Sequence, residues 1–281
     1  MPELPEVEIV ARRLDAALRG AEVESALAPG MNVMKTFEPP LEALAGREVT
    51  RVRRVGKMPV VEFGKLALLV HMMSAGRLKV FDERASMKDR ASRVLVRLGD
   101  GRELRLREFG TKQRAWAKLL ASGAVAEDEM VRTLGPEAWP PPPLELLAEA
   151  VAQPRHLHPL LRDQRAIAGI GRSWVDEILW EARLSPFKKG SELDPEDVER
   201  LHAALHVLGD AIDHYEETIG ADVPDKLPMP LKVHRREGEP CPRCGTTIEA
   251  VFFSEHQTNY CPTEQTGGRV LKDRRLSRLL K

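Results

Sequence analysis

The chain has 281 residues, 42% of them hydrophobic and 31% charged, which is enough for two cores and is the composition expected of a soluble protein. No apolar run reaches membrane-spanning length, no signal peptide precedes Pro2, and three cysteines confined to 241–261 argue against a disulfide framework, so a cytoplasmic protein with no membrane partner is expected. The formal net charge of zero does not by itself point to a nucleic-acid binder, yet residues 226–281 hold eleven Lys/Arg against six Asp/Glu, and residues 47–57 hold five basic residues against Glu48 alone.

The chain opens Met1-Pro2-Glu3-Leu4-Pro5-Glu6-Val7-Glu8. Pro2 is small enough for Met1 to be trimmed, which leaves a secondary amine at the end of the chain. An α-amino group titrates near about 8, well below a lysine at about 10.4, so a useful fraction is neutral and nucleophilic at physiological pH. Glu3 and Glu6 supply proton-transfer groups beside it. The same residues read as a helix start, with Pro5 at the first helical position, acids in the first turn, and Val7, Val10, Leu14, Ala17 and Leu18 as the apolar series.

Strand-like stretches follow at 49–55, 60–63, 66–72, 78–81, 94–98, 104–106 and 114–119, with glycine turns such as Gly99-Asp100-Gly101. This spacing predicts an antiparallel sandwich or barrel. Leu134-Gly135-Pro136 and the run from Trp139 to Pro143 predict a stiff linker. From Leu144 to about Gly220 the pattern is helical. Asp194 reads as a cap with Pro195 in the first turn, and Val198, Leu201, Leu205 and Leu208 recur at helical spacing. Gly169-Ile170-Gly171 opens another amphipathic helix, and free N–H groups at such an entry attract phosphate. Cys241-x-x-Cys244 and, after sixteen intervening residues, Cys261-x-x-Glu264 have the spacing of a zinc site with Glu264 in the fourth position, His256 being another candidate donor.

The opening MPELPEVE resembles the signature of the formamidopyrimidine-DNA glycosylase and endonuclease VIII family, and motifs in four separate places extend the resemblance over the whole chain. It implies an α+β architecture: an N-terminal helix plus antiparallel β-sandwich domain over 1–132, a linker over 133–143, a helical helix–two-turn–helix domain over 144–228, and a C-terminal β-hairpin zinc-finger module over 229–281. It implies a bifunctional DNA glycosylase/AP lyase of base-excision repair. Its partner would be double-stranded DNA with damaged or abasic nucleotides, and the protein would be a monomer. Pro2 would attack C1′ of the damaged nucleotide, with Glu3 as general acid/base, Glu6 positioning the N-terminal segment, and Lys57 reaching into the site.

In the Arg107-Glu108-Phe109-Gly110 stretch, the resemblance makes Arg107 and Phe109 the residues inserted into the duplex. His71 begins His71-Met72-Met73-Ser74-Ala75-Gly76, where Ser74 stands at a wedge position usually held by Met. Met73, one residue early, would face the other way in an extended segment. Gly171 belongs to the DNA-gripping helix entry. Arg172, His158 and His256 stand where relatives carry Asn, Lys and Arg, so these DNA-contacting positions are rewritten. The resemblance implies one structural Zn ion on Cys241, Cys244, Cys261 and Glu264, and no redox or nucleotide cofactor. These departures also support an alternative, a catalytically quiet DNA-damage or DNA-structure binding protein on the same fold.

Overall fold

A computed structural model describes residues 2–86, 88–109, 112–253 and 256–271, with the side chains of Phe253 and His256 outside the description. The first helix, α1, spans Leu4–Leu18, with Glu3 as its N-cap. Leu4 rather than Pro5 therefore takes the first helical position. Leu4, Val7, Val10, Ala11, Leu14 and Leu18 recur at three- and four-residue spacing and are buried along one face. The opposite edge is tied down by charge. Asp15 Oδ1 accepts from the Val52 N–H at 2.6 Å, and Arg54 Nε donates to Glu8 Oε2 at 2.8 Å.

Eight strands follow in chain order: β1 (Val23–Leu27), β2 (Arg51–Val55), β3 (Met58–Phe63), β4 (Leu66–His71), β5 (Gly76–Phe81), β6 (Ser92–Leu98), β7 (Glu103–Glu108) and β8 (Trp116–Ala121). They form two antiparallel four-stranded sheets, ordered β1-β6-β7-β5 and β2-β3-β4-β8. Leu78, Val94, Val96, Leu104 and Leu106 of one sheet share a core with Val52, Val61, Phe63, Leu68, Val70 and Leu119 of the other, as expected of a sandwich. Each fully buried side chain of this kind contributes about 1.5–3 kcal/mol. Strand β1 is not anticipated by sequence. It is only five residues long, includes Glu24 and Ser25, and its register shifts between Val23 and Ser25, which blurs alternation.

The described chain falls into two compact units: Met1–Thr133 with Ile212–Pro228, and Leu134–Ala211 with Met229–Lys281. The stretch 144–228, read from sequence as one helical domain, is therefore divided. After a short helix α2 (Glu129–Arg132), the helices are α3 (Leu144–Val151), α4 (Leu157–Leu161), α5 (Arg172–Glu181), α6 (Pro195–Ala204) and α7 (His206–Thr218). Asp194 caps α6 as expected, accepting from the Asp197 N–H at 2.8 Å. The apolar series Val198–Leu208 is broken at Leu205, between α6 and α7. The linker is not a free spacer. Trp139 packs on α7 where Gly209 lies, and a Cβ on Gly209 would come 2.2 Å from the Trp139 ring. Strands β9 (Glu249–Phe253) and β10 (His256–Tyr260) pair antiparallel and lead into α8 (Pro262–Thr266). Among the described residues, no helix is long and apolar enough to cross a membrane.

Candidate functional site

The amino terminus is organised by two buried carboxylates. Pro2 is half-buried, and Glu3 and Glu6 are only 4% and 5% exposed. Glu6 Oε2 accepts from the Glu3 N–H at 2.9 Å, an N-terminal capping contact that ties the first turn of α1 to the residue after Pro2. Glu6 Oε1 accepts from the hydroxyl of Tyr215 at 2.8 Å. Tyr215 is fully buried with Ile9 and Ile219, in the part of α7 that belongs to the first unit. Burial and the neighbouring Glu6 carboxylate push the Tyr215 phenol well above its ordinary range, so it remains a donor at every working pH. Arg13 donates to the carbonyls of Glu216 and Ile219 at 3.1 and 3.0 Å, and Arg12 and Arg13 both pair with Glu216, so the end of α7 is held to α1 by several bonds. Sequence reasoning missed Tyr215, and no local pattern marks it.

Lys57 follows β2 in the turn before β3, at Gly56 with φ +55°. Strand β2 runs along α1 from Val52 opposite Asp15 to Arg54 opposite Glu8. Its progression carries the Gly56-Lys57 turn toward the end of α1 where Glu3 lies. Lys57 also approaches His71, since its charge helps burial lower the imidazole below its ordinary value. His71 is therefore neutral at physiological pH. Its Nδ1 accepts from the Met73 N–H at 3.1 Å, and its ring stacks on Trp116 at 5.3 Å.

That hydrogen bond begins a tight turn. Gly76 N–H closes it on the Met72 carbonyl at 2.8 Å, and a Cβ at Gly76 would come 2.3 Å from that oxygen. The segment is thus not extended, as the sequence comparison of Met73 with Ser74 assumed. Met73 has φ +50°, and Ser74 stands exposed in the turn. Arg107 lies on β7 with its guanidinium 4.8 Å from the ring centre of Phe109, 5.6 Å from that of Phe81, and its Nε 3.7 Å from Asp89. Phe109 is 40% exposed at the strand end, and Gly110 lies outside the described residues. Glu108, buried between them, accepts from the N–H groups of Arg114 and Ala115.

In the second unit, Gln164 shapes the entry to α5. Its side chain accepts from Gly169 N–H at 2.9 Å and donates to the carbonyls of Arg162 and Ile170. Gly169 has φ +101°, a conformation that demands glycine. Gly171 is the N-cap, and Arg172 is exposed at the first helical position. His158, expected at a DNA-contacting position, is buried in the structure. Its side chain is not on the surface but 7% exposed, with Nε2 3.3 Å from Asp176 and a ring nitrogen 3.3 Å from the Thr258 hydroxyl. Asp176 also accepts from His234 Nδ1 at 2.7 Å and from the Asn259 N–H. His158 is thereby occupied in joining α4, α5 and β10. The backbone of His256 opens β10 opposite Phe253, and its side chain lies outside the described residues.

The sulfurs of Cys241, Cys244 and Cys261 lie within 4.8 Å of one another. Zinc–sulfur bonds of about 2.3 Å place tetrahedral ligands about 3.8 Å apart, so the set needs little adjustment to hold the ion. Each thiol already has a donor: Trp180 Nε1 to Cys241 at 3.4 Å, the Thr246 hydroxyl and N–H to Cys244, and the Glu264 N–H to Cys261. The Thr246 donors hold the Cys244 thiol below its ordinary value, whereas burial pushes Cys261 up to about 12. Such outer-shell donors fit a metal–thiolate centre. The carboxylate of Glu264 does not join the group. Its Oε2 is 3.2 Å from Arg183 Nε and 3.3 Å from Arg243 Nη1.

Three family profiles match in succession: the formamidopyrimidine-DNA glycosylase N-terminal domain over residues 1–112, the formamidopyrimidine-DNA glycosylase H2TH domain over 134–222, and a zinc finger found in FPG and IleRS over 238–263. The chain is 34% identical to a formamidopyrimidine-DNA glycosylase of Herpetosiphon aurantiacus, with 94% of this chain and 100% of the relative covered. It is 32% identical to that of Exiguobacterium sibiricum, over 94% and 99%. Among solved structures it resembles Lactococcus lactis Fpg in complex with DNA containing an abasic site, with a TM-score of 0.83, 25% identity, and 94% and 99% coverage. A mutant of the same protein bound to Fapy-dG-containing DNA gives 0.82 at 26% identity, covering 94% and 100%.

Proposed function

The chain belongs to the formamidopyrimidine-DNA glycosylase family, and on that premise we propose how its own residues carry out the family's chemistry. It is a DNA glycosylase and AP lyase of base-excision repair that acts on DNA with damaged or abasic nucleotides. Its finger takes one structural zinc on Cys241, Cys244 and Cys261, which supplies a rigid crosslink and no reaction step. We assign it to the cytoplasm, where thiols stay reduced and available to metal.

Pro2, freed of Met1, attacks C1′ of a nucleotide turned out of the stack, and the base leaves. Glu3 assists the leaving base and then manages the protons of ring opening. The resulting Schiff base acidifies the C2′ proton, so elimination cleaves the strand. Glu6 is a positioning residue, acting through its bond to the Glu3 N–H. Lys57 brings a cation toward the same end of α1, and neutral His71 holds the turn that presents Ser74. Arg107 and Phe109 reach for the base opposite and the neighbouring step. Gly171, Arg172 and His256 are assigned to phosphate, whereas His158 contributes from inside by shaping α4.

One observation carries this reading: Glu6 is held from both sides, by Glu3 N–H and Tyr215, so that the residues next to the nucleophile are fixed before substrate arrives. The test is borohydride reduction in the presence of abasic DNA. A covalent adduct is expected with processed protein, and a Pro2→Gly change or a retained Met1 should weaken or redirect it. No adduct with any abasic substrate would favour the quiet DNA-damage binder.

A further inference from the structure

We propose that the described residues of the finger supply three ligands to its metal, Cys241, Cys244 and Cys261, and that the fourth position is left to an exchangeable solvent molecule, which a small thiol can displace. This inference concerns the finger alone and stands whether or not Pro2 is the nucleophile.

The spacing of Cys241, Cys244 and Cys261 makes Glu264 the natural fourth ligand, and the structure gives its carboxylate another occupation. Arg183 and Arg243 converge on the same oxygen, Oε2. Arg243 is itself fixed. Its guanidinium lies 3.9 Å over the Trp180 ring, Nη1 donates to the Trp180 carbonyl at 3.1 Å, and Nη2 meets Glu181 at 2.8 Å. Planar guanidinium groups stacked on an indole and paired on two sides are strongly oriented. The Glu264 carboxylate does not lie with the three sulfurs, and bringing it to the metal would mean moving the group whose Oε2 both arginines share.

Charge points the same way. A divalent ion with three thiolates carries a single net negative charge, and a neutral fourth ligand preserves it. A carboxylate would double that charge beside Cys241 and Cys261, which are 3% and 0% exposed. Cys244, by contrast, is exposed, and the rim beside it is polar. The Thr246 hydroxyl, which serves Cys244, lies 2.8 Å from that of Thr263. Solvent can reach the ion from this side and find hydrogen-bonding partners there. Among the described residues, no imidazole or carboxylate joins the three sulfurs. Three protein ligands with one solvent position is the pattern of open zinc sites.

The experiment replaces zinc by cobalt in the full chain and follows the visible spectrum. Titrating 2-mercaptoethanol into the wild type should shift the ligand-field bands as a fourth sulfur enters. Glu264→Cys, which closes the site, should show the four-sulfur spectrum at once, ignore added thiol, and release zinc to a chelator at least about tenfold more slowly. Glu264→Gln and His256→Ala should keep the wild-type spectrum and bind cobalt within about twofold of it. A wild-type spectrum indifferent to thiol overturns the proposal without recourse to any variant. So does a tenfold loss of cobalt affinity with altered bands in Glu264→Gln or His256→Ala, which would identify that side chain as the fourth ligand.

Discussion

Each unit of the molecule buries a pair of acids on a helix, and the two pairs do different work. Glu3 and Glu6 lie at the very start of α1, next to Pro2, and Glu6 is steadied by one amide and one phenol. Asp176 and Glu177 lie within α5, where Glu177 accepts from three successive amides, Lys232, Val233 and His234, at 2.9, 2.9 and 2.8 Å. Asp176 takes His234, His158 and the Asn259 N–H. The second pair is a clasp: it fastens the segment that leads into the finger onto α5. Burial alone therefore does not mark an acid as catalytic. What sets the first pair apart is its place next to Pro2, the proposed nucleophile, and what sets the second apart is that three successive backbone amides converge on Glu177.

The largest expected effect separates the two steps of the chemistry. Glu3→Gln should lower excision of a damaged base by about 10²–10⁴, the usual worth of general acid–base assistance, and should spare cleavage of a preformed abasic site. Parallel assays on the two substrates check this, and equal losses would assign Glu3 to binding or folding. Glu177→Ala should act on stability and favour neither step. It leaves the buried amides of Val233 and His234 without an acceptor, at about 1–3 kcal/mol for each unsatisfied group, so the urea midpoint should fall markedly. An unchanged midpoint would mean that the clasp is ornamental.

Tyr215→Phe probes the first pair more gently. It removes one hydrogen bond to a carboxylate, worth about 1.5–3 kcal/mol. Trapped adduct should form more slowly while KM for DNA stays constant, because the change lies behind Glu6. A loss in KM alone would refute the positioning role. The smallest effect belongs to His71. Its folded-state value is lowered by burial and by Lys57, so below the ordinary histidine value of about 6.5 the unfolded chain takes up the proton more readily. Its stabilising contribution is therefore present above that value and is lost as pH falls through and below it. His71→Phe keeps an aromatic ring for Trp116 and removes the titration. Urea midpoints at pH 7.5 and 5.5 should differ less in the variant than in the wild type.

The amino-acid sequence was enough to locate α1, most of the sandwich strands, the Asp194 cap of α6 and the cysteine spacing. All of these are local: a helix face repeats every three to four residues, a strand every two, and a cap or metal knuckle closes within a few positions. The opening MPELPEVE was likewise readable, because Pro2 and the acids proposed to serve it are adjacent in the chain. What only tertiary structure decided are contacts between distant residues. Tyr215 meets Glu6 across 209 positions, and His158 meets Thr258 across 100. A periodic pattern records that a side chain is apolar or polar and says nothing of which partner it will find. That is why the contacts of His158 with Asp176 and Thr258, and those of Glu264 with Arg183 and Arg243, could not be read from the sequence.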